Sequence, residues 1–269
     1  MWLTVDLNSP FFSFVEGTDG DGKQVNHFVS ERFGGVTWKV YLCHMIVPLH
    51  VCLDQRIPVG TAEGKTVHVV VASVDALLAD EGLQAECLPM FSPVRRAKVE
   101  AYKHPRSRCL SIGVGLLLDR LLAEVGLRER DMDYVEGEHG KPSLVGFPDI
   151  AFNLSHSGSM VAAAMTVGTE HIGIDIQRIA RYRPELVRRV FSDADRAKLA
   201  ALATDAERER LFTRLWCRAE AYAKATGAGL QWPFCDPPSE AVFHEFDVDA
   251  DYCCVMCTIT RSTSLTYNQ

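Results

Sequence analysis

Glu220 and Lys224 stand one helical turn apart in residues 211–227. Ala, Arg, Glu and Lys favour a helix there, and Gly227 or Gly229 can close it. Phe212, Trp216, Ala219 and Ala223 recur at i, i+4, i+7 and i+11, which predicts a core-facing stripe. Thr213, Cys217, Glu220 and Lys224 form the neighbouring stripe. A carboxylate and an ammonium beside a buried face can hold a metal ion and a phosphate. The same spacing also describes an ordinary surface ion pair. Residues 171–177 offer a second set. Period-two alternation puts Ile172, Ile174 and Ile176 on one face of a strand and Gly173, Asp175 and Gln177 on the other. Buried Asp and Gln need partners. A metal ion would supply one, and oxygen donors favour magnesium over zinc. A solvent-facing polar side of an edge strand is the alternative.

A basic run supplies an anion-binding counterpart. Between residues 95 and 108, Arg95, Arg96, Lys98, Lys103, His104, Arg106 and Arg108 are opposed by Glu100 alone. In an acidic chain this reversal of sign points to an anionic ligand, although a solvated charged helix has the same composition. Gly140-Lys141-Pro142 sets a lysine on a rigid turn after a strand expected at 133–135. Residues 151–159 read as a strand entering a turn. Ser155 and His156 are adjacent there, so they do not easily form a nucleophile–base pair. They read as hydrogen-bond donors to a ligand, or as groups that satisfy the turn. Asn153-Leu154-Ser155 matches the glycosylation pattern, but without a secretory signal it carries no weight.

These residues need a scaffold, and 269 residues allow one large domain or two small ones. An apolar fraction of 47% suits a globular protein with a sizeable core. The net charge of −7 gives no support to non-specific nucleic-acid binding. No basic segment precedes the first apolar residues, so no secretory signal is read. The longest apolar stretch, about 40–53, holds His44, Pro48 and His50 and is too short and polar to span a bilayer. Cys253, Cys254 and Cys257 cluster without a second group that would complete a four-ligand zinc site, and read as buried strand thiols. A cytoplasmic location with reduced thiols is the expectation.

Strands are expected at 67–72, 151–159, 160–167, 171–177, 241–248 and 252–260. Helices are expected at 76–83, at 93–102 with Ser92 as N-cap, and at 111–125. Phe91-Ser92-x-x-x-Arg96-Ala97-Lys98-Val99-x-Ala101 recurs as Phe191-Ser192-x-x-x-Arg196-Ala197-Lys198-Leu199-x-Ala201. Each copy precedes a long helix. The repeat predicts two similar halves, 67–166 and 167–262, around a shared cleft. Residues 1–66 are an N-terminal extension without a chemical motif, containing a turn-rich stretch at 17–22 and two short strands within 36–51. Residues 263–269 are a tail.

In order, Gly140-Lys141-Pro142, Phe152-Asn153-Leu154-Ser155-His156-Ser157, Gly173-Ile174-Asp175 and Trp216-x-x-x-Glu220-x-x-x-Lys224-x-x-Gly227 resemble the motifs of the 4'-phosphopantetheinyl transferases, in particular the two-lobed Sfp-type monomers. The resemblance covers about residues 67–262. It implies two α+β lobes in a pseudo-twofold arrangement, with coenzyme A between them. It further implies that magnesium bridges the pyrophosphate to Asp175 and Glu220, with Gln177 at a third position. Glu220 would double as general base, and Lys224 would neutralise pyrophosphate charge. Arg95, Lys98, Arg108, Lys141, Pro142, Ser155 and His156 would hold the nucleotide. A serine of an apo acyl or peptidyl carrier protein would attack the β-phosphate and release adenosine 3',5'-bisphosphate. Neither nucleic acid nor membrane is an expected partner. Such a transfer depends mostly on positioning and charge stabilisation. There are two departures. Many relatives carry an acidic residue where Gln177 stands, and a lysine where Ala219 stands. Both bear on metal affinity more than on reaction type. They also support a second reading, a non-catalytic module of the same fold that binds coenzyme A or a carrier protein.

Overall fold

The computed structural model describes residues 12–18, 24–30, 39–40, 49–59, 65–168, 171–230, 234 and 237–259. The tail at 263–269 lies outside them, as do residues 19–22 of the turn-rich stretch and most of the segment 36–51. The chain divides into two compact units, residues 1–47 and 48–269. In the first, β1 (Phe12–Thr18) and β2 (Gln24–Ser30) form an antiparallel hairpin, and β3 (Lys39–Val40) pairs with β2.

Along the second unit run β4 (His50–Pro58), β5 (Thr66–Ser73), α1 (Asp75–Ala79), α2 (Glu81–Cys87), α3 (Pro93–Ala101), α4 (Pro105–Ala123), β6 (Tyr134–Glu136), β7 (Pro142–Leu144), β8 (Ile150–Ser157), β9 (Met160–Val167), β10 (His171–Arg178), α5 (Pro184–Val190), α6 (Asp193–Ala200), α7 (Asp205–Thr226), β11 (Ala241–Phe246) and β12 (Tyr252–Ile259). One antiparallel sheet has the order β4-β5-β9-β8, a second β10-β12-β11, and β6-β7 is a separate ribbon. Without β4, the two sheets share one plan: β5-β9-β8 matches β10-β12-β11. The helices between also match. Ser92 Oγ accepts the Arg95 N–H at the start of α3, and Ser192 Oγ accepts the Asp195 N–H at the start of α6. The long helix of each half, α4 or α7, comes next. The hundred-residue sequence repeat is thus a repeat of structure in an α+β fold. β4 lies inside the segment read as an extension, yet it is the edge strand of the first sheet and sends Leu53 into the core.

The sheets meet face to face. Val67, Val69, Val71, Met160, Ala162 and Ala164 of the first pack against Ile172, Ile174, Ile176, Cys254 and Met256 of the second. The far face of β9 receives α4: a Cβ added at Gly113 would stand 3.1 Å from Val161 and 2.5 Å from Val74. Burial on both faces explains why β5 is valine-rich rather than alternating. On the outer face of the second sheet, Cys217, Ala221 and Ala225 of α7 pack on Cys253, Val255 and Cys257 of β12. These thiols are buried and stay protonated; burial pushes Cys257 up to about 12.

Phe212 and Ala223 of the expected stripe of α7 are buried, but Trp216 and Ala219 are only half-buried, and the face set on the sheet is rotated toward Thr213, Cys217, Ala221 and Ala225. Small side chains prevail because the helix sits close on the strand. Trp216 turns aside to Phe212 and Phe234 in a satellite cluster. The rotation brings Glu220 and Lys224 to the rim of the buried face rather than to open solvent. Among the described residues, no helix is long and apolar enough to cross a membrane.

Candidate active site

The site forms where β10 passes between α7 and β8. Gly173 allows the approach: a Cβ there would stand 2.1 Å from the Ala221 carbonyl and 2.4 Å from the Ala225 nitrogen. Glycine is the residue that lets helix backbone touch strand backbone. α7 is anchored at both ends, by a Thr204–Glu207 capping box and by Gly227 with φ 73° closing its last turn. Side chains two and four residues on from Gly173 share its face of β10, so Asp175 and Gln177 emerge beside α7.

Asp175 is almost wholly buried, at 2% exposure. Its Oδ1 accepts the Ser155 hydroxyl at 2.8 Å and the Lys224 ammonium at 2.7 Å. Its Oδ2 is buried without a hydrogen-bond partner. Ser155 is saturated: its oxygen also accepts the Ile176 N–H at 3.2 Å and Lys224 Nζ at 3.0 Å, so its proton has Asp175 as its destination. Lys224 Nζ donates in addition to the Ile174 carbonyl at 3.2 Å. Glu220 lies close enough to feel both charges. Burial raises its pKa, Asp175 raises it further, and Lys224 offsets part of the rise. The neighbouring Cys217 is a neutral thiol, because burial and then the Asp175 charge push it up.

The other expected residues fall into two groups. His156 projects from the opposite side of β8 to Ser155 and is exposed at its surface. Crowding by the surrounding protein, then Lys224 and Lys98, hold its pKa below the usual imidazole range. Lys98, from the first half, and Lys224, from the second, thus both act on His156. Arg108 keeps its Nε buried and without a partner. Gln177 is half-buried, and its Oε1 accepts the Ser157 hydroxyl at 3.1 Å. The remaining residues are held by the protein itself. Arg95 donates through Nε to Glu129 Oε1 at 2.7 Å and lies over the Tyr134 ring. Glu129 is fully buried and also takes the Ser92 N–H and the Tyr134 hydroxyl, so it needs that cation. Lys141 donates to the carbonyls of Ile172 at 3.1 Å and Ala225 at 3.0 Å, which ties its turn to β10 and to the end of α7. Pro142 opens β7 opposite Glu136.

Asn153 and Ser157, passed over in the sequence reading, flank Ser155 on the same face of β8. Asn153 Oδ1 accepts the Ile174 N–H at 2.8 Å and Ser157 Oγ accepts the Arg178 N–H at 3.0 Å. Their alternation with Ser155 was a readable signal.

Among the described residues, no three His, Cys, Asp or Glu side chains cluster to hold a metal ion. The donor set here is two carboxylates and an amide, all oxygen. The orphaned Asp175 Oδ2 and a Glu220 whose ionised form is disfavoured by its neighbour are what a hard divalent cation would relieve. The set fits magnesium.

A family model described as the 4'-phosphopantetheinyl transferase superfamily matches residues 171–264, which contain Asp175, Gln177, Glu220 and Lys224. The chain is 30% identical over 147 residues to 4'-phosphopantetheinyl transferase Sfp of Bacillus subtilis (strain 168), covering 54% of this chain and 64% of that protein. It is 32% identical over 146 residues to 4'-phosphopantetheinyl transferase psf-1 of Bacillus pumilus, covering 54% and 61%. Over its second half the chain is similar to the 4'-phosphopantetheinyl transferase superfamily. It is also 36% identical over 105 residues to 4'-phosphopantetheinyl transferase AcpT of Escherichia coli (strain K12), covering 37% of this chain and 51% of that one. The matches to Sfp, psf-1 and AcpT thus span between half and two thirds of those relatives' lengths. The part matched by the superfamily model is the second half, which carries both carboxylates and the lysine.

Proposed function

We propose that this protein transfers 4'-phosphopantetheine from coenzyme A to a serine of an apo acyl or peptidyl carrier protein, with magnesium, and releases adenosine 3',5'-bisphosphate. The observation that carries this reading is the Asp175 carboxylate, pinned through Oδ1 and free at Oδ2, beside a Glu220 of raised pKa. The match of the second half to the superfamily model and the names of the relatives support it.

Asp175, Glu220 and Gln177 would hold the magnesium ion. When bound, the ion supplies charge neutralisation for the pyrophosphate oxygens. Glu220 takes the proton of the carrier serine, and its raised pKa brings a carboxylate nearer to the working range of a general base. The serine oxygen forms the new bond to the β-phosphorus, and the bridging oxygen leaves with adenosine 3',5'-bisphosphate. Lys224 holds Asp175 before the reaction and lies where an anion would meet its ammonium. Lys98, His156 and Arg108 would hold the nucleotide phosphates, and the unpartnered Arg108 Nε is a donor in want of an acceptor. A cytoplasmic monomer is part of this reading. The alternative, a module that binds without turnover, draws on the neutral Gln177, but it gives no use to a Glu220 set beside Asp175. Incubation with coenzyme A, magnesium and a set of apo carriers, followed by mass spectrometry of the carriers, tests the proposal.

A further inference from the structure

Among the described residues, no strand pairs with one edge of β10. β12 pairs with one side of it, and the alternation of an antiparallel ladder turns the backbone groups of Ile172, Ile174, Ile176 and Arg178 the other way. Buried or half-buried backbone groups need partners. Here side chains supply them. Asn153, Ser155 and Ser157 accept the N–H groups of Ile174, Ile176 and Arg178, at 2.8, 3.2 and 3.0 Å. Lys141 and Lys224 donate to the carbonyls of Ile172 and Ile174. Three acceptors two residues apart on β8 thus meet three donors two residues apart on β10, the strands running in the same direction.

We propose that Asn153 and Ser157 are positioning residues: they lock β10 in one register against β8, and Ser157 also seats the amide of Gln177. The inference rests on the reading of Asp175, Gln177 and Glu220 as the magnesium site. A one-residue slip would turn Ile174 and Ile176 into the site and Asp175 and Gln177 into the apolar core. The slip also breaks the match between the two sets of groups, so the seam forbids it. Ser155 does the same work but touches Asp175 and Lys224 directly. Asn153 makes no hydrogen bond to Asp175, Gln177, Glu220 or Lys224 and acts on the site through the β10 backbone, whereas Ser157 acts through that backbone and through the Gln177 amide. Ser157 spends its proton on Gln177 Oε1 and receives the Arg178 N–H, which fixes where the amide stands.

The test uses the full chain and the variants Ser157→Ala, Ser157→Thr and Asn153→Ala. Amide exchange at Ile174, Ile176 and Arg178 is followed without metal, and Mn2+ binding is followed by electron paramagnetic resonance with coenzyme A present. In Ser157→Ala the Arg178 amide should exchange about tenfold faster. Mn2+ should bind about tenfold more weakly, as when a group behind a metal ligand is removed. The melting temperature should hold, because Ser157 is not deeply buried, and Ser157→Thr should restore both readings. Asn153→Ala should do the same at Ile174. Unchanged exchange at Arg178 in Ser157→Ala, or faster exchange with unchanged Mn2+ affinity, would overturn the inference. A wild-type protein that shows the protected amides and binds no Mn2+ would overturn the proposed function itself, and with it the purpose assigned to Ser157.

Discussion

Ser155, on the last strand of the first sheet, donates its hydroxyl proton at 2.8 Å to Asp175, on the first strand of the second. With Lys224 on the same oxygen, this bond decides which face of the carboxylate is left for a cation. Replacing Ser155 by Ala removes the bond and also strips the Ile176 N–H and one Lys224 contact of their acceptor. The expected cost is about 1–3 kcal/mol of stability, read by chemical denaturation. Transfer should fall as well. Wild-type stability in this variant would mean that the seam does not need the hydroxyl.

Glu220→Gln keeps the shape and loses both a proton acceptor and a metal charge. Transfer should fall by about 100- to 10,000-fold with the fold intact. In the wild type, the acid limb of kcat/KM should lie above the ordinary carboxylate range, since the free enzyme's Glu220 is raised by burial and by Asp175. Activity lost as pH falls marks protonation of this base. Asp175→Asn removes the second cause and should move the limb downward in whatever activity remains. A limb that stays in place would separate it from Glu220.

Much of this arrangement was legible in the sequence. Valine runs, the Gly173 alternation, the serine caps and the repeat at Ser92 and Ser192 rest on local patterns, and local patterns survive folding. What escaped reading were contacts between distant residues. Arg95 serves Glu129, and Lys141 serves the carbonyls of Ile172 and Ala225, so two cations read as ligand groups are engaged by the protein. β4 was hard to see because its outward residues are polar and its Leu53 is its most buried member. The stripe on α7 was half legible: its spacing found the buried Phe212 and Ala223, but close contact with β10 and β12 selects Ala and Cys and leaves Trp216 and Ala219 half-buried.

Lys141 gives a pH test. Burial pushes its pKa down to about 8 from the ordinary lysine value of 10.5. Its ammonium is charged below that pH and neutral above it, so any attraction to a bound pyrophosphate fades as pH rises through about 8. Coenzyme A affinity, measured by calorimetry from neutral pH to about 9.5, should decline, and Lys141→Arg should flatten the decline because arginine keeps its charge. A flat profile in the wild type would confine Lys141 to its carbonyl contacts.

Gln177→Glu adds a carboxylate on the face that holds Asp175, and Ser157 can still donate to it. The magnesium concentration for half-maximal transfer should fall, while the maximal rate need not rise, since the new charge also repels pyrophosphate. An unchanged midpoint would show that position 177 does not face the metal.

The most direct measurement is the mass of apo carriers after incubation with this protein, coenzyme A and magnesium. The expected result is a gain of one 4'-phosphopantetheine on the carrier serine, with adenosine 3',5'-bisphosphate appearing in equal amount. Both should be abolished by chelation and nearly abolished by Glu220→Gln. Coenzyme A binding without a mass gain on any carrier, from a protein with Asp175 and Glu220 intact, would contradict a transferase and leave a binding module.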